Sequence, residues 1–359
     1  MAEAALLEDV SPNGNVIARV EQDGRCAYFY LAGEAGRPFG DHSCWVRNLA
    51  RAPEKLDAEA MKAGDAPMLP AAACAHPDGA PALDAGALRI VWFEEGDAAA
   101  LLEGDAVLAI IPAWSGVGGF EGYARDCRAK TPLCWPLPPD SPLLPRIKRA
   151  AAFWADWRGG GPWQPLQQAG VAAIEAAVGK ALNCYSIDGG EWPPKAIVRV
   201  PREGTTVLAS CGVGIRPQPR VDLADAAKPP PRRIELAMAI ESGYFDRAPK
   251  AFLGWLAGLC ALPWGAFAPL APGMVVPCEA LPVTPTGVRF EGALLASEPE
   301  GAPRIAYPAY RGDEVRLLWA IPVTAREREL AQKEGSAALL GKLSAGGQGW
   351  VLRYRDPIG

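Results

Sequence analysis

Side chains able to move a proton near neutral pH are scarce in this chain, since only His42 and His76 supply an imidazole among 359 residues. Each has a cysteine two positions away, in Asp41-His42-Ser43-Cys44 and in Cys74-Ala75-His76. A thiol beside an imidazole can act as a nucleophile once the base takes its proton. Two thiols and two imidazoles can also close a tetrahedral zinc site. The plainer reading treats these as separate loop and core residues near proline-rich surface. No Cys-x-x-Cys spacing occurs among the nine cysteines, which removes the zinc-ribbon and thioredoxin readings.

Two glycine-dense segments, Gly116-Val-Gly-Gly119 and Gly212-Val-Gly-Ile-Arg-Pro217, resemble phosphate loops at first sight. The second follows a predicted strand, yet its sixth position is proline and no helical pattern opens there. Both read as tight turns. Ser115 has Ala113 two residues before it, where a nucleophile elbow needs glycine. Glu94, Glu95, Asp97, Glu103 and Asp105 lack the alternation of a calcium loop and read as a solvated acidic face, suited to docking a basic partner. No cofactor or metal is expected.

The elements that would position these residues belong to a soluble globular chain, half apolar and 21% charged, with length for two domains. Residues 1–160 carry 15 basic and 22 acidic side chains, a net of −7, and the remainder has a net of +2. Neither half suits a phosphate backbone, so no nucleic-acid partner is expected. Met1 to Pro12 lacks a basic stretch followed by an apolar one, which predicts a cytoplasmic protein with reduced thiols. The most apolar stretch, 251–270, is broken by Gly254, Gly258, Pro263, Gly265 and Pro269. It falls short of the roughly 20 apolar residues that span a bilayer and reads as a buried helix plus loop, with no membrane partner.

Asp23-Gly24 between two apolar-alternating runs, 15–22 and 25–31, predicts a hairpin with a type I′ turn. Strands are predicted at 88–93 and 106–112, and helices near 56–61 and at 146–157. Of the twelve tryptophans most should be core, with Trp114 beside flexible glycines the best candidate for exposure. Arg158-Gly-Gly-Gly-Pro162 marks the domain boundary. Beyond it, helices are predicted at 166–182 and 249–262, and strands at 196–200, 206–212, 233–240, 288–296 and 314–321. Thr324 with Glu327 has capping-box spacing before a helix, and a last helix is predicted at 336–343.

Five segments of the second half resemble the suppressor-of-fused family in the same order: 207–213, Arg233-Ile-Glu-Leu236, 249–264, Thr284-Pro-Thr-Gly-Val-Arg-Phe290, and 314–324 with Glu327, Gly335, Leu339 and Leu340 following. The resemblance covers about residues 165–350. The first half is similar to the extension on longer bacterial members. Animal members grasp Gli-type transcription factors, aided by an aromatic residue before a turn glycine and an acidic one after it. Here Cys211 and Ile215 stand at those positions, so a Gli-type partner is not implied.

The expectation is an α+β chain of two domains, with mixed, largely antiparallel sheets flanked by helices. An N-terminal extension would span 1–158 and a suppressor-of-fused-like domain 163–355. The resemblance implies a non-catalytic module that binds a protein, with neutralisation of a cognate toxin proposed for bacterial members. The alternatives are a cysteine-dependent hydrolase using Cys44 or Cys74, and a regulatory scaffold with several partners. Partner contact is expected at Cys211, Gly212, Val213, Ile215 and Arg216, on a rim loop whose backbone groups are free to meet another chain. Arg216 would be its charged anchor; a rigid turn in which Ile215 merely closes the core is the competing reading.

Overall fold

The computed structural model describes residues 5–358 apart from 13, 35–37, 57, 285–286, 348 and 356–357. Pro285 and Thr286 of the Thr-Pro-x-Gly-Val segment therefore lie outside the described residues. The chain is α+β, with mostly antiparallel sheets. It divides into two compact units, Met1–Gly159 and Gly160–Gly359. No helix among the described residues is long and apolar enough to cross a membrane.

The first unit opens with β1 (Leu7–Val10), β2 (Val16–Gln22), β3 (Cys26–Gly33) and β4 (Asp41–Asn48), neighbours in that order in an antiparallel sheet. Alternation decides which face is buried. Val16, Ala18 and Val20 are fully buried, whereas Ile17, Arg19 and Glu21 face the other way. The β2–β3 turn is not type I′, because neither Gly24 nor Arg25 has a positive φ. Instead the Asp23 carboxylate accepts the amides of Arg25 and Cys26, both at 2.6 Å, and fixes the turn from its side chain. A short helix α1 (Ala58–Lys62) precedes the second sheet, β5 (Leu88–Trp92), β6 (Ala99–Glu103), β7 (Ala106–Ile111), β8 (Tyr123–Ala124) and β9 (Trp135–Pro136). Helix α2 (Leu143–Arg158) packs Leu143, Ile147 and Ala150 on Val91, Phe93, Ala100 and Leu102.

The second unit begins with α3 (Trp163–Val178), β10 (Asn183–Ser186), β11 (Ala196–Arg202), β12 (Thr205–Cys211) and β13 (Arg233–Glu241). Helix α3 stops at Val178, short of the predicted residue 182, because Gly179 takes φ +131°. Leu182 is consequently 57% exposed, and its amide bonds to Arg199 beside β10. Then follow α4 (Ser242–Phe245), α5 (Pro249–Ala266), β14 (Val275–Pro277), β15 (Gly292–Ala296), β16 (Val315–Val323), α6 (Ala325–Glu334), α7 (Ser336–Ala345) and β17 (Val351–Leu352). The sheet order is β10-β11-β12-β13-β16-β15-β14, with β17 also paired to β13. The β13–β16 pair is parallel.

Both faces of this sheet are covered. On β13, Ile234, Leu236, Met238 and Ile240 pack with Phe252, Leu256 and Leu259 of α5, while Ala237 and Ala239 pack with Ile174 and Val178 of α3. A strand buried on both faces reads as a continuous apolar run, as residues 236–240 of β13 do, while Arg233 and Glu235 interrupt its start. The capping box at α6 is formed: Thr324 Oγ1 accepts the Glu327 amide at 3.3 Å, and Glu327 accepts the Thr324 amide at 2.9 Å. Glu327 is fully buried and also pairs with Arg355 at 3.0 Å, which ties the end of the chain to this helix. Thr324→Ala should cost about 1 kcal/mol in urea unfolding, the usual loss for a removed cap. No change in the midpoint would show that the Arg355 pair alone anchors α6.

Candidate functional site

The loop after β12 is where the sequence places partner contact, and its construction starts from two residues of β13. Glu235 sits between Ile234 and Leu236 yet is only 3% exposed, so its carboxylate must find donors inside the protein. It accepts the amides of Gly212 at 2.9 Å and Gly214 at 3.0 Å, with Val213 contributing, and the Ser210 hydroxyl at 2.5 Å. Arg233, fully buried, donates to the carbonyls of Gly214 and Ile215 and to Asp313 at 2.9 Å. The two charged residues of Arg-Ile-Glu-Leu therefore grip the loop from beneath, one by its amides and one by its carbonyls. Burial pushes the Glu235 carboxyl above its usual range, against the opposing pull of Ser210 and the loop amides.

The expected free backbone groups are thus engaged, and the expected contact side chains point inward. Cys211, Val213, Ile215 and Arg216 are at most 4% exposed. Arg216 lies over the Trp264 ring, 4.8 Å from its centroid, and Trp264 Nε1 donates to the Pro217 carbonyl. Gln218, fully buried, spends its amide on the carbonyls of Pro231 and Leu270 and on the Leu270 N–H. Gly212 has φ +101°, and a Cβ there would meet the Pro194 carbonyl at 2.5 Å. At Cys211 a larger side chain has no room. Helix α3 comes so close that a Cβ on Gly170 would lie 2.5 Å from the Cys211 sulfur.

What stays open beside the loop is an edge. Strand β16 pairs with β13 from residue 315 and with β15 only from residue 319. Along 315–318 no described strand pairs with its outer side. A groove of about 520 Å³ runs there, lined by residues 302–307 together with Val315, Arg316, Leu317 and Trp319. Gly212, Gly214 and Ile215 meet Tyr307 and Val315 at a small adjoining cleft, and the Tyr307 hydroxyl donates to the Ser210 carbonyl at 2.8 Å.

The other sequence candidates separate. Cys44 is fully buried and donates to the carbonyls of Trp45 and Tyr123, while His42 Nε2 contacts the Phe39 carbonyl. Cys74 donates to the His76 carbonyl, and the His76 ring lies 3.9 Å from Asp126. Burial pushes both thiols up, away from the thiolate a nucleophile needs. Among the described residues no group of three His, Cys, Asp or Glu could hold a metal. The acidic face is corrected in part: Glu94, Glu95 and Asp97 are buried at 8%, 5% and 2% exposure, while Glu103 is half-buried and Asp105 exposed. Arg146 of α2 reaches Glu95 at 3.2 Å, so the helix closes over this turn. Trp114 is half-buried in the α2 core, and the neighbouring glycines 116, 118 and 119 all have positive φ, as a tight turn requires.

Sequence reasoning missed the roles of Arg233 and Glu235 and the open edge of β16. The first had a signal: two charges alternating with Ile234 and Leu236 in a doubly covered strand demand internal partners. Residues 191–355 match the family model for suppressor of fused protein. The suppressor-of-fused segment takes in the loop, both gripping residues and the groove, and it points to a protein-binding regulatory module. No curated protein matches the chain.

Proposed function

We propose that this protein is a non-catalytic binding module whose suppressor-of-fused segment holds an extended segment of a protein partner along β16. The observation that carries this reading is the groove beside residues 315–318, where no described strand pairs with the outer side of β16 and Trp319 and Tyr307 are among the lining side chains. A peptide can add to such an edge through its backbone while alternate side chains fill the groove. Cys211, Gly212, Val213, Ile215 and Arg216 then contribute by shaping the end of the groove rather than by offering exposed side chains. The first unit is an N-terminal α+β extension on this reading. Neutralisation of a cognate toxin in the cytoplasm is its finer form, since an inhibitor that acts by occupancy needs no turnover chemistry.

The test starts from tagged protein recovered from its native cells, with each co-purifying protein then produced separately and titrated back. A 1:1 complex should survive reconstitution. Leu317→Lys, at a half-buried position where the lysine stem can lie along the groove, should weaken it at least about tenfold. Its Tm should move by less than about 4 °C. If no pair reconstitutes, or Leu317→Lys binds as tightly as the parent, the edge is not the site.

A further inference from the structure

The first unit carries a second open surface, unrelated to the reading of residues 191–355. Its four-stranded sheet buries one face through Val16, Ala18, Val20, Phe29 and Leu31 and leaves the other bare around Ile17, Arg19, Tyr30 and Asp41, with Tyr28 on that face covered. Register sets two rows across that bare face. Glu8, Arg19, Tyr30 and Ser43 follow one another across β1 to β4, and beside them run Val10, Ile17, Ala32 and Asp41. Val10 is 50% exposed at the end of its row. Between the rows lies a groove of about 560 Å³, lined by Ile17, Arg19, Glu21, Tyr30, Asp41 and Glu121 among others.

The charge in this groove is one-sided. Among the described residues its one guanidinium, Arg19, is already engaged by Glu8 at 2.9 Å and Glu21 at 3.5 Å, and the His42 imidazole also lines the groove. Asp41 and Glu121 pair with no cation among the described residues. Burial and the negative charge of Glu21 together push the Tyr30 hydroxyl up to about 12. Of the acidic region that the sequence suggested for docking, Glu94, Glu95 and Asp97 are buried, whereas on this face, in a half with a net charge of −7, Asp41 is exposed and Glu121 partly so.

We propose that the bare face of β1–β4 docks a basic, extended segment of a protein partner, with Lys or Arg side chains set between Asp41, Glu121 and the Tyr30 ring. Charge complementarity selects this occupant. A guanidinium or ammonium gains from carboxylates that no described cation engages and from an aromatic face together. The aliphatic row of Val10, Ile17 and Ala32 accommodates the stems of such side chains. A second copy would bring the same negative charge and be repelled.

The test uses the full chain and fluorescein-labelled nona-arginine as the probe, followed by fluorescence anisotropy at near-physiological salt. Asp41→Lys with Glu121→Lys should weaken binding at least about tenfold, while Glu54→Lys with Asp140→Lys, an equal change in net charge at exposed sites elsewhere, should change it less than about twofold. Equal losses in both pairs would show that only the overall charge attracts the probe and would overturn the proposal. So would unchanged binding by the first pair. Asp41→Asn with Glu121→Gln provides a neutral version should the lysine pair fold poorly, with an intermediate loss expected. A dimer in sedimentation that the lysine pair dissolves would assign the face to a second copy and likewise overturn the proposal.

Discussion

Trp319→Ala should lower the stability of this protein by about 3–5 kcal/mol, the loss typical of a large aromatic removed from a core. Trp319 is 1% exposed and stands where β16 is flanked by β13 on one side and β15 on the other. Its ring meets Trp350 edge-on with centroids 4.8 Å apart, and it packs with Ala237, Ala239 and Val351. The neighbouring Leu318 and Ala320 belong to the core on the opposite face, so the strand cannot shift outward to fill the cavity. Urea denaturation followed by far-UV circular dichroism gives the number. A loss below about 1 kcal/mol would mean that Trp350 collapses into the space and that the pair is not a fixed core element.

Glu235→Ala should cost a comparable amount, about 3–5 kcal/mol, for a different reason. It strands the amides of Gly212, Val213 and Gly214 and the Ser210 hydroxyl inside the protein, each donor left unmet costing about 1–3 kcal/mol before relaxation. Hydrogen exchange at Gly212 and Gly214 should accelerate in the variant before the rest of the sheet opens. Glu235→Gln keeps an acceptor oxygen and should lose less.

The pH dependence has a defined sign. The folded carboxyl lies above its unfolded value, so its contribution to stability is complete below the unfolded value of about 4.3 and is lost as pH rises through the folded one. Stability curves for the parent and Glu235→Gln should therefore converge at low pH and separate across that window. Parallel curves would show that Glu235 titrates alike in both states.

Much of the fold was legible in short-range pattern. Asp23 between two alternating runs marked the β2–β3 hairpin, and the spacing of Phe252, Leu256 and Leu259 marked α5. Thr324 with Glu327 marked the start of α6, because a capping box satisfies its donors within four residues of chain. Such features depend on neighbours in sequence, and sequence alone can carry them. The order of segments from 207 to 340 likewise carried the family, which the match over residues 191–355 supports.

Burial of charge was not legible, since it depends on what the rest of the chain brings close. Glu94, Glu95 and Asp97 form an acidic run that any local reading sends to solvent, and Arg146, some fifty residues later, covers it. The loop at Cys211–Pro217 has the glycines and proline of an exposed rim, yet Glu235 and Arg233 from the next strand hold its backbone and turn its side chains inward. A strand edge is equally nonlocal: β16 is apolar apart from Arg316, and the lengths of its two neighbours leave residues 315–318 without a described strand on the outer side. The sequence by itself determined the β2–β3 hairpin, α5 and the capped start of α6, while β4 and β10 escaped it. Tertiary structure alone decided which carboxylates meet water and which strand edge stays free, because both are set by partners far away along the chain.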